Sequence, residues 1–157
     1  MDTPLTPADG GPDEHEHSAR ENESPDLLAH ALFAAIEARD RDAVARLVHP
    51  TAELEMAMAR GQTVRGREAV LATLEAAWAR VHSLRIDEAE VLSPMTVLLC
   101  GRSRHPIEPG GFADTGVFWL CTYRDGLLWR QRVFENVDDA RAAWHETKDE
   151  FEALPRR

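Results

Sequence analysis

The 157-residue chain is 43% hydrophobic, 6% aromatic and 29% charged, with 28 Asp and Glu against 18 Lys and Arg and a formal net charge of −10. That length suits one domain with a sizeable core and is short for two. The acidity argues against nucleic acid, whose backbone demands a concentrated basic surface, and against an anionic membrane surface.

The charge is unevenly placed. Residues 1–26 hold eight acidic side chains against Arg20 alone, and only Met1 and Leu5 are large apolar groups. Such a segment buries too little surface to offset its ordering entropy, which predicts a disordered acidic tail over 1–24. His15 and His17, among Asp13, Glu14 and Glu16, are metal-ligand types. Spacing inside a disordered segment creates no coordination geometry, so a solubilising tail is the simpler reading. No basic-then-apolar leader and no run of about twenty apolar residues is present, so a cytoplasmic chain outside the membrane is expected.

Ser24, Pro25 and Asp26 form a helix start, with serine as cap, proline at the first helical position and an acid at the positive end. Leu28, Ala31, Leu32, Ala35 and Ile36 then recur at helical spacing. The helix loosens at Arg39 and Asp40. Asp40 or its neighbour caps a short second helix presenting Val44, Leu47 and Val48, stopped by Pro50. From Ala52 to Ala59, Leu54, Met56 and Met58 alternate with Glu53, Glu55 and Ala57, which predicts a strand. After a turn over Gly61 to Gly66, a further helix packs through Val70, Leu71, Leu74 and Trp78.

Beyond Arg80 the period becomes strand-like. Four strands are expected, around Leu84 to Leu92, Thr96 to Cys100, Val117 to Tyr123 and Leu127 to Phe134. Turn signals separate them at Ser93-Pro94, Pro106 to Gly111 and Asp125-Gly126. The last is the strongest hairpin signal, because Asp-Gly supplies the positive backbone torsions of a tight turn. Asp138 or Asp139 opens a short final helix through Trp144. This order predicts an α+β domain over 25–146, a curved antiparallel sheet wrapped around the N-terminal and middle helices and enclosing a pocket, followed by a polar extension over 147–157.

Three segments in this order, "ALFAAIEARDRDAVARLVHPTAELEMA", "VRGREAV" and "VFWLCTYRDGLLWRQRVFEN", resemble the SnoaL-like branch of the nuclear-transport-factor-2-like superfamily, over about residues 27–146. The resemblance implies a cone-shaped α+β domain, often dimeric through the outer sheet face. Its members serve as ketosteroid isomerases, epoxide hydrolases, polyketide cyclases and small dehydratases, or only bind ligands, so the fold does not fix a reaction. For this chain it implies a pocket for a small apolar molecule and a homodimer through the outer sheet face. Members commonly use an aspartate or histidine facing the cavity, and no single position here maps onto it.

An isomerase or cyclase of this type needs a general base in a dry pocket and a donor where enolate charge develops. Asp114 is the first candidate base, because it begins the strand leading to Val117–Cys121; its plain alternative is a solvated strand end. His82 and His105, near strand ends, suit a pocket rim that uses an imidazole for acid–base work or ligand contact. Glu55 is a candidate ligand contact, though a salt bridge to an arginine accounts for it more simply. Trp78 and Trp119 are candidate pocket walls, with core packing as the alternative. On the last strand, period 2 puts Leu128, Arg130, Arg132 and Phe134 on one face and Trp129, Gln131 and Val133 on the other. In the first case paired guanidiniums face the pocket and hold a carboxylate or orient Asp114; in the second Gln131 is the polar member. No phosphate-binding glycine motif, metal motif or serine elbow accompanies these residues, so no cofactor and no metal is expected. Cys100 and Cys121 sit in apolar runs and read as reduced packing residues.

Overall fold

The computed structural model describes residues 20–57 and 61–152. Most of the predicted acidic tail, with His15 and His17, therefore lies outside the described residues, as does Met58. The elements in chain order are α1 (Pro25–Glu37), α2 (Arg41–Leu47), β1 (Val48–Met56), β2 (Gln62–Arg65), α3 (Arg67–Trp78), β3 (Ser83–Ser93), β4 (Thr96–Ile107), β5 (Gly111–Arg124), β6 (Leu127–Phe134) and α4 (Val137–Glu152).

Local chemistry accounts for most boundaries. Pro25 opens α1, but the Ser24 hydroxyl bonds the Asp26 carboxylate and caps no backbone amide. Arg39 at φ 53° ends that helix in the left-handed region. Asp40 then caps α2, its carboxylate accepting the Ala43 N–H at 3.0 Å. The chain passes directly from α2 into β1 at Val48, before Pro50, so the strand starts four residues earlier than the alternation of Leu54 and Met56 suggests. Asp125 and Gly126, at φ 54° and 72°, make the β5–β6 turn that their identities predict.

The six strands form one sheet in the order β2-β1-β6-β5-β4-β3. All neighbours are antiparallel except β1 and β6, which run parallel. That one pair departs from the antiparallel sheet expected. It is possible because the long connection over 57–126 separates β1 from β6 and lets them pair as neighbours inside the sheet in the same direction. The α+β cone is otherwise as predicted.

The sheet is covered on both faces. Leu28, Leu32, Phe33 and Ile36 of α1, Val44 of α2 and Val70 and Leu71 of α3 meet the inner residues Leu54, Leu99, Trp119 and Val133 in one core. A second, smaller core lies on the outer face, where Ala140, Ala143 and Trp144 of α4 cover Leu98, Leu120 and Phe134. The final helix is longer than expected and runs through residue 146 to Glu152.

Two irregularities aim the inner face. A Cβ at Gly101 would lie 2.0 Å from the Arg85 carbonyl oxygen and 2.9 Å from the Trp119 ring, so only glycine lets β3 and Trp119 close on β4 there. On β6, Arg130 pairs with Thr122 while Leu128 pairs with Tyr123, so Trp129 is an extra residue in a bulge.

Candidate functional site

Between α1, α3 and the inner sheet face lies an open-ended cavity of about 230 Å³. Ile36, Leu54, Met56, Leu74, Trp78, Val117, Trp119 and Val133 supply its apolar wall. Phe33 braces Trp119 edge-on, with ring centroids 4.9 Å apart at 77°. The polar groups lie on one side. Gln131 and Ser103 are buried, His105 is half-buried, and Thr115, His82, Glu37 and Arg39 are exposed around the opening. An engineered apolar cavity of about 150 Å³ accepts benzene, so this volume fits a body of one or two rings, with the opening free for a substituent.

The register of β4 and β5 produces this polar side. Their pairing continues past Cys100 and Phe118 to Ile107 and Gly111, setting Ser103 against Thr115 and His105 against Ala113. Ser103 and His105 are two apart on β4 and so share its inner face. There the Ser103 Oγ meets His105 Nε2 at 2.6 Å. Deeper in, the Gln131 amide donates to the Cys121 sulfur at 3.5 Å. Burial pushes that thiol up to about 12, and the amide contact works weakly against it. The Trp78 indole N–H is buried with no acceptor among the described residues.

Five candidates from the sequence come together at this cavity: His82, His105, Trp78, Trp119 and Gln131. Four do not. Asp114 has the opposite parity to Thr115 and Val117 and lies outside the cavity, where the Arg104 guanidinium grips both its oxygens at 2.8 and 2.9 Å. That contact holds the carboxylate below its ordinary range, the reverse of what a general base at neutral pH requires. Glu55, Arg130 and Arg132 also face outward. Arg132 binds both oxygens of Glu55 at 2.9 and 3.2 Å, and Arg130 lies 3.8 Å from Glu55 and 3.9 Å from Glu53. They are salt-bridge partners across β1 and β6, and neither guanidinium lines the cavity. The bulge also corrects the face assignment on β6: Leu128 shares the inner core with Gln131 and Val133, while Trp129 joins Phe134 in the outer core.

His82 takes part mainly at the rim. Its backbone N–H bonds the Arg104 carbonyl at 2.7 Å, and its ring lies 4.7 Å from that of Phe112. Sequence reasoning missed Ser103, Thr115 and Glu37. The signal for Ser103 was present in Gly101, Ser103 and His105 alternating with Arg102 and Arg104, a strand pattern whose inward members are small or polar. Glu37 is engaged as the acceptor of the Leu84 N–H and ties the end of α1 to β3.

Among the described residues, no group of three or more His, Cys, Asp or Glu is placed to hold a metal ion, and no helix is long and apolar enough to cross a membrane. Six strands, three inner helices and a lateral opening define a cone-shaped pocket domain. A family model described as a SnoaL-like domain matches residues 29–131, more than half of the chain, and the chain belongs to that family. Its fold is similar to TerC co-crystallised with polyporic acid (21% identity, 78% of this chain and 97% of that one, TM-score 0.61). It is also similar to RV0760c from Mycobacterium tuberculosis in complex with estradiol-17beta-hemisuccinate (18% identity, 74% and 97%, TM-score 0.62). A third similar structure is a Catenulispora acidiphila protein with a ketosteroid isomerase-like fold in complex with trimethylamine (16% identity, 73% and 88%, TM-score 0.60). Comparison with curated proteins finds no match.

Proposed function

We propose that this SnoaL-like protein binds a small, mainly apolar molecule of one or two rings in the cone and acts on it by cofactor-independent acid–base chemistry, as an isomerase, cyclase or hydratase. The observation that carries this reading is the placement of His105: an imidazole at the boundary between an apolar wall and the opening, bonded to a buried serine. An imidazole can both accept and donate a proton, and the apolar wall beside it limits the water that would compete. Among the described residues no aspartate lines the cavity, so His105 takes the role that the sequence suggests for Asp114. The ring-bearing ligands of two proteins with this fold, polyporic acid and estradiol-17beta-hemisuccinate, are in keeping with a ring-shaped occupant.

A bicyclic ketone, 2-tetralone, tests the reading. Expected are saturable quenching of tryptophan fluorescence and protein-dependent uptake of deuterium at the ketone's α-carbons in D2O. Met56→Trp, which fills the cavity, removes both; His105→Gln keeps the quenching and lowers exchange at least about 10²-fold, the lower end for general acid–base catalysis. Quenching without protein-dependent exchange selects the second reading, a noncatalytic ligand-binding module. A homodimer through the outer sheet face would use the area that α4 leaves open.

A further inference from the structure

The buried polar side chains among the described residues are Thr96, Ser103, Thr122 and Gln131. Three of them have an oxygen or nitrogen partner: Thr96 and Thr122 meet at 3.2 Å, and Ser103 meets His105 at 2.6 Å. Gln131 differs. It is 4% exposed, stands in register with Leu54 of β1 and Cys121 of β5, and bonds only from Nε2 to a sulfur 3.5 Å away. A thiol is a weak acceptor, while a primary amide carries two donor hydrogens and two acceptor lone pairs. Its carbonyl oxygen, Oε1, has no hydrogen-bond partner among the described residues.

An acceptor left unpaired in apolar surroundings is costly, and this one is not walled in. The polar atoms sealed from solvent without a partner are the Trp78 indole nitrogen and the Tyr123 hydroxyl. Gln131 instead lines the cavity with Leu54, Trp119 and Val133, so its oxygen is reached from that space. We infer that Gln131 is a hydroxyl-recognition point at the inner end of the cavity, and that the occupant is a ring compound with an alcohol or phenol group whose O–H donates to Oε1. The inference rests on the proposed reading that the cone binds a mainly apolar ring, and it requires no step of the acid–base chemistry.

The bond to Cys121 sets the polarity of the match. With Nε2 turned to the sulfur, the open atom of the amide is an acceptor, so a ketone or ether oxygen meets like polarity and a hydroxyl supplies the missing proton. Leu54, Val117 and Val133 give that hydroxyl no other acceptor, and Ser103 and His105 are bonded to each other on β4. A site built to bond a hydroxyl also rejects the analogue that lacks one, because its own buried polar group is then left unpaired. Gln131 would therefore select among ring compounds of the same size.

The experiment is equilibrium dialysis of the full chain against 2-naphthol, naphthalene and 2-methoxynaphthalene, which keeps the oxygen but has no proton to give. Wild type is expected to bind 2-naphthol about tenfold more tightly than either analogue. In a purely apolar cavity the hydroxyl would weaken binding, because it loses its water and gains no partner. Gln131→Leu, close to glutamine in size, is expected to lower 2-naphthol affinity about tenfold and to hold naphthalene within about twofold. Ser103→Ala is expected to keep the wild-type preference. Naphthalene or 2-methoxynaphthalene binding wild type as tightly as 2-naphthol overturns the inference and leaves the pocket reading standing, and this wild-type series decides the point even where Gln131→Leu does not fold. A preference that persists in Gln131→Leu, or vanishes in Ser103→Ala, places the hydroxyl elsewhere and also overturns it. Failure of all three compounds to bind wild type overturns the pocket reading and the inference with it.

Discussion

The concave and convex faces of β4, β5 and β6 carry different chemistry on the same backbone. Inside stand Ser103 bonded to His105, Gln131 bonded to Cys121, and Trp119 packed in the apolar core. Outside, one residue along in each strand, stand Arg104, Asp114 and Arg132, ionised and paired. Since strand neighbours alternate, one step in register decides whether a carboxylate is a structural ion-pair partner or a base in a dry site. The contrast teaches that, on these three strands, the described carboxylates and guanidiniums stand on the outer face, while the inner face meets the cavity with uncharged or aromatic side chains and one imidazole.

Removing the inner face's largest member gives the greatest effect. Trp119→Ala empties the space against Phe33 and Gly101, and truncating a buried tryptophan costs about 3–5 kcal/mol. A denaturant titration reads the loss as a lower midpoint with little change in slope. A cost below about 1 kcal/mol would mean that Trp119 is a rim residue, not a wall.

Breaking the outer face costs less. Glu55→Ala strands Arg132, whose side chain is 16% exposed, next to Arg130. A partly buried charge left without its bidentate partner costs about 1–3 kcal/mol. The same variant is expected to leave 2-tetralone binding unchanged, since neither residue reaches the cavity. Weakened binding with unchanged stability would reverse the assignment of the two faces.

This pairing explains what was legible in the sequence. Helical spacing in α1 and α3, the Asp-Gly turn and the strand alternations are local signals, and they yield the cone and its helices. Gln131, Trp119 and His105 were candidates because their types suit a pocket. Asp114 was misplaced because its strand begins at Gly111, earlier than the apolar run Val117–Cys121 implies, and nothing local sets the parity of that extension. Ser103 was missed for the complementary reason: its bond to His105 exists only because β4 stays extended through Arg102 and Arg104, a stretch with no apolar residue to mark it. The Trp129 bulge, which moves Leu128 inward, depends on pairing with β5 and lies beyond any single-strand pattern.

Asp114→Asn is the direct test of that misplacement. Turnover and binding are expected to match wild type, with a small stability loss at pH 7 that shrinks in high salt. Because Arg104 lowers the folded carboxyl's proton affinity, the pair stabilises the fold above the ordinary aspartate value of 3.8 and loses this as pH falls through the lower folded value. Wild type and variant should therefore differ at neutrality and converge on acidification. A turnover loss of 10²-fold or more at pH 7 would return Asp114 to the site.

The smallest effect concerns reactivity, and it measures how well the inner face is sealed. Cys121 is buried beside Gln131, with its thiol pushed up to about 12 by desolvation. Cys100 is half-buried on the outer face, raised first by burial and next by Glu88. Thiolate is the reacting form, so at pH 8 iodoacetamide should leave Cys121 unlabelled in the native protein and label Cys100 slowly, and label both in denaturant. Trp119 and Cys121 are two apart on the inner face of β5, so Trp119→Ala opens space next to the sulfur. Labelling of Cys121 should then rise while that of Cys100 stays the same, which separates local opening from general loss of stability. Equal acceleration at both cysteines would mean that the variant exposes the whole sheet, and that the two faces are not independently sealed.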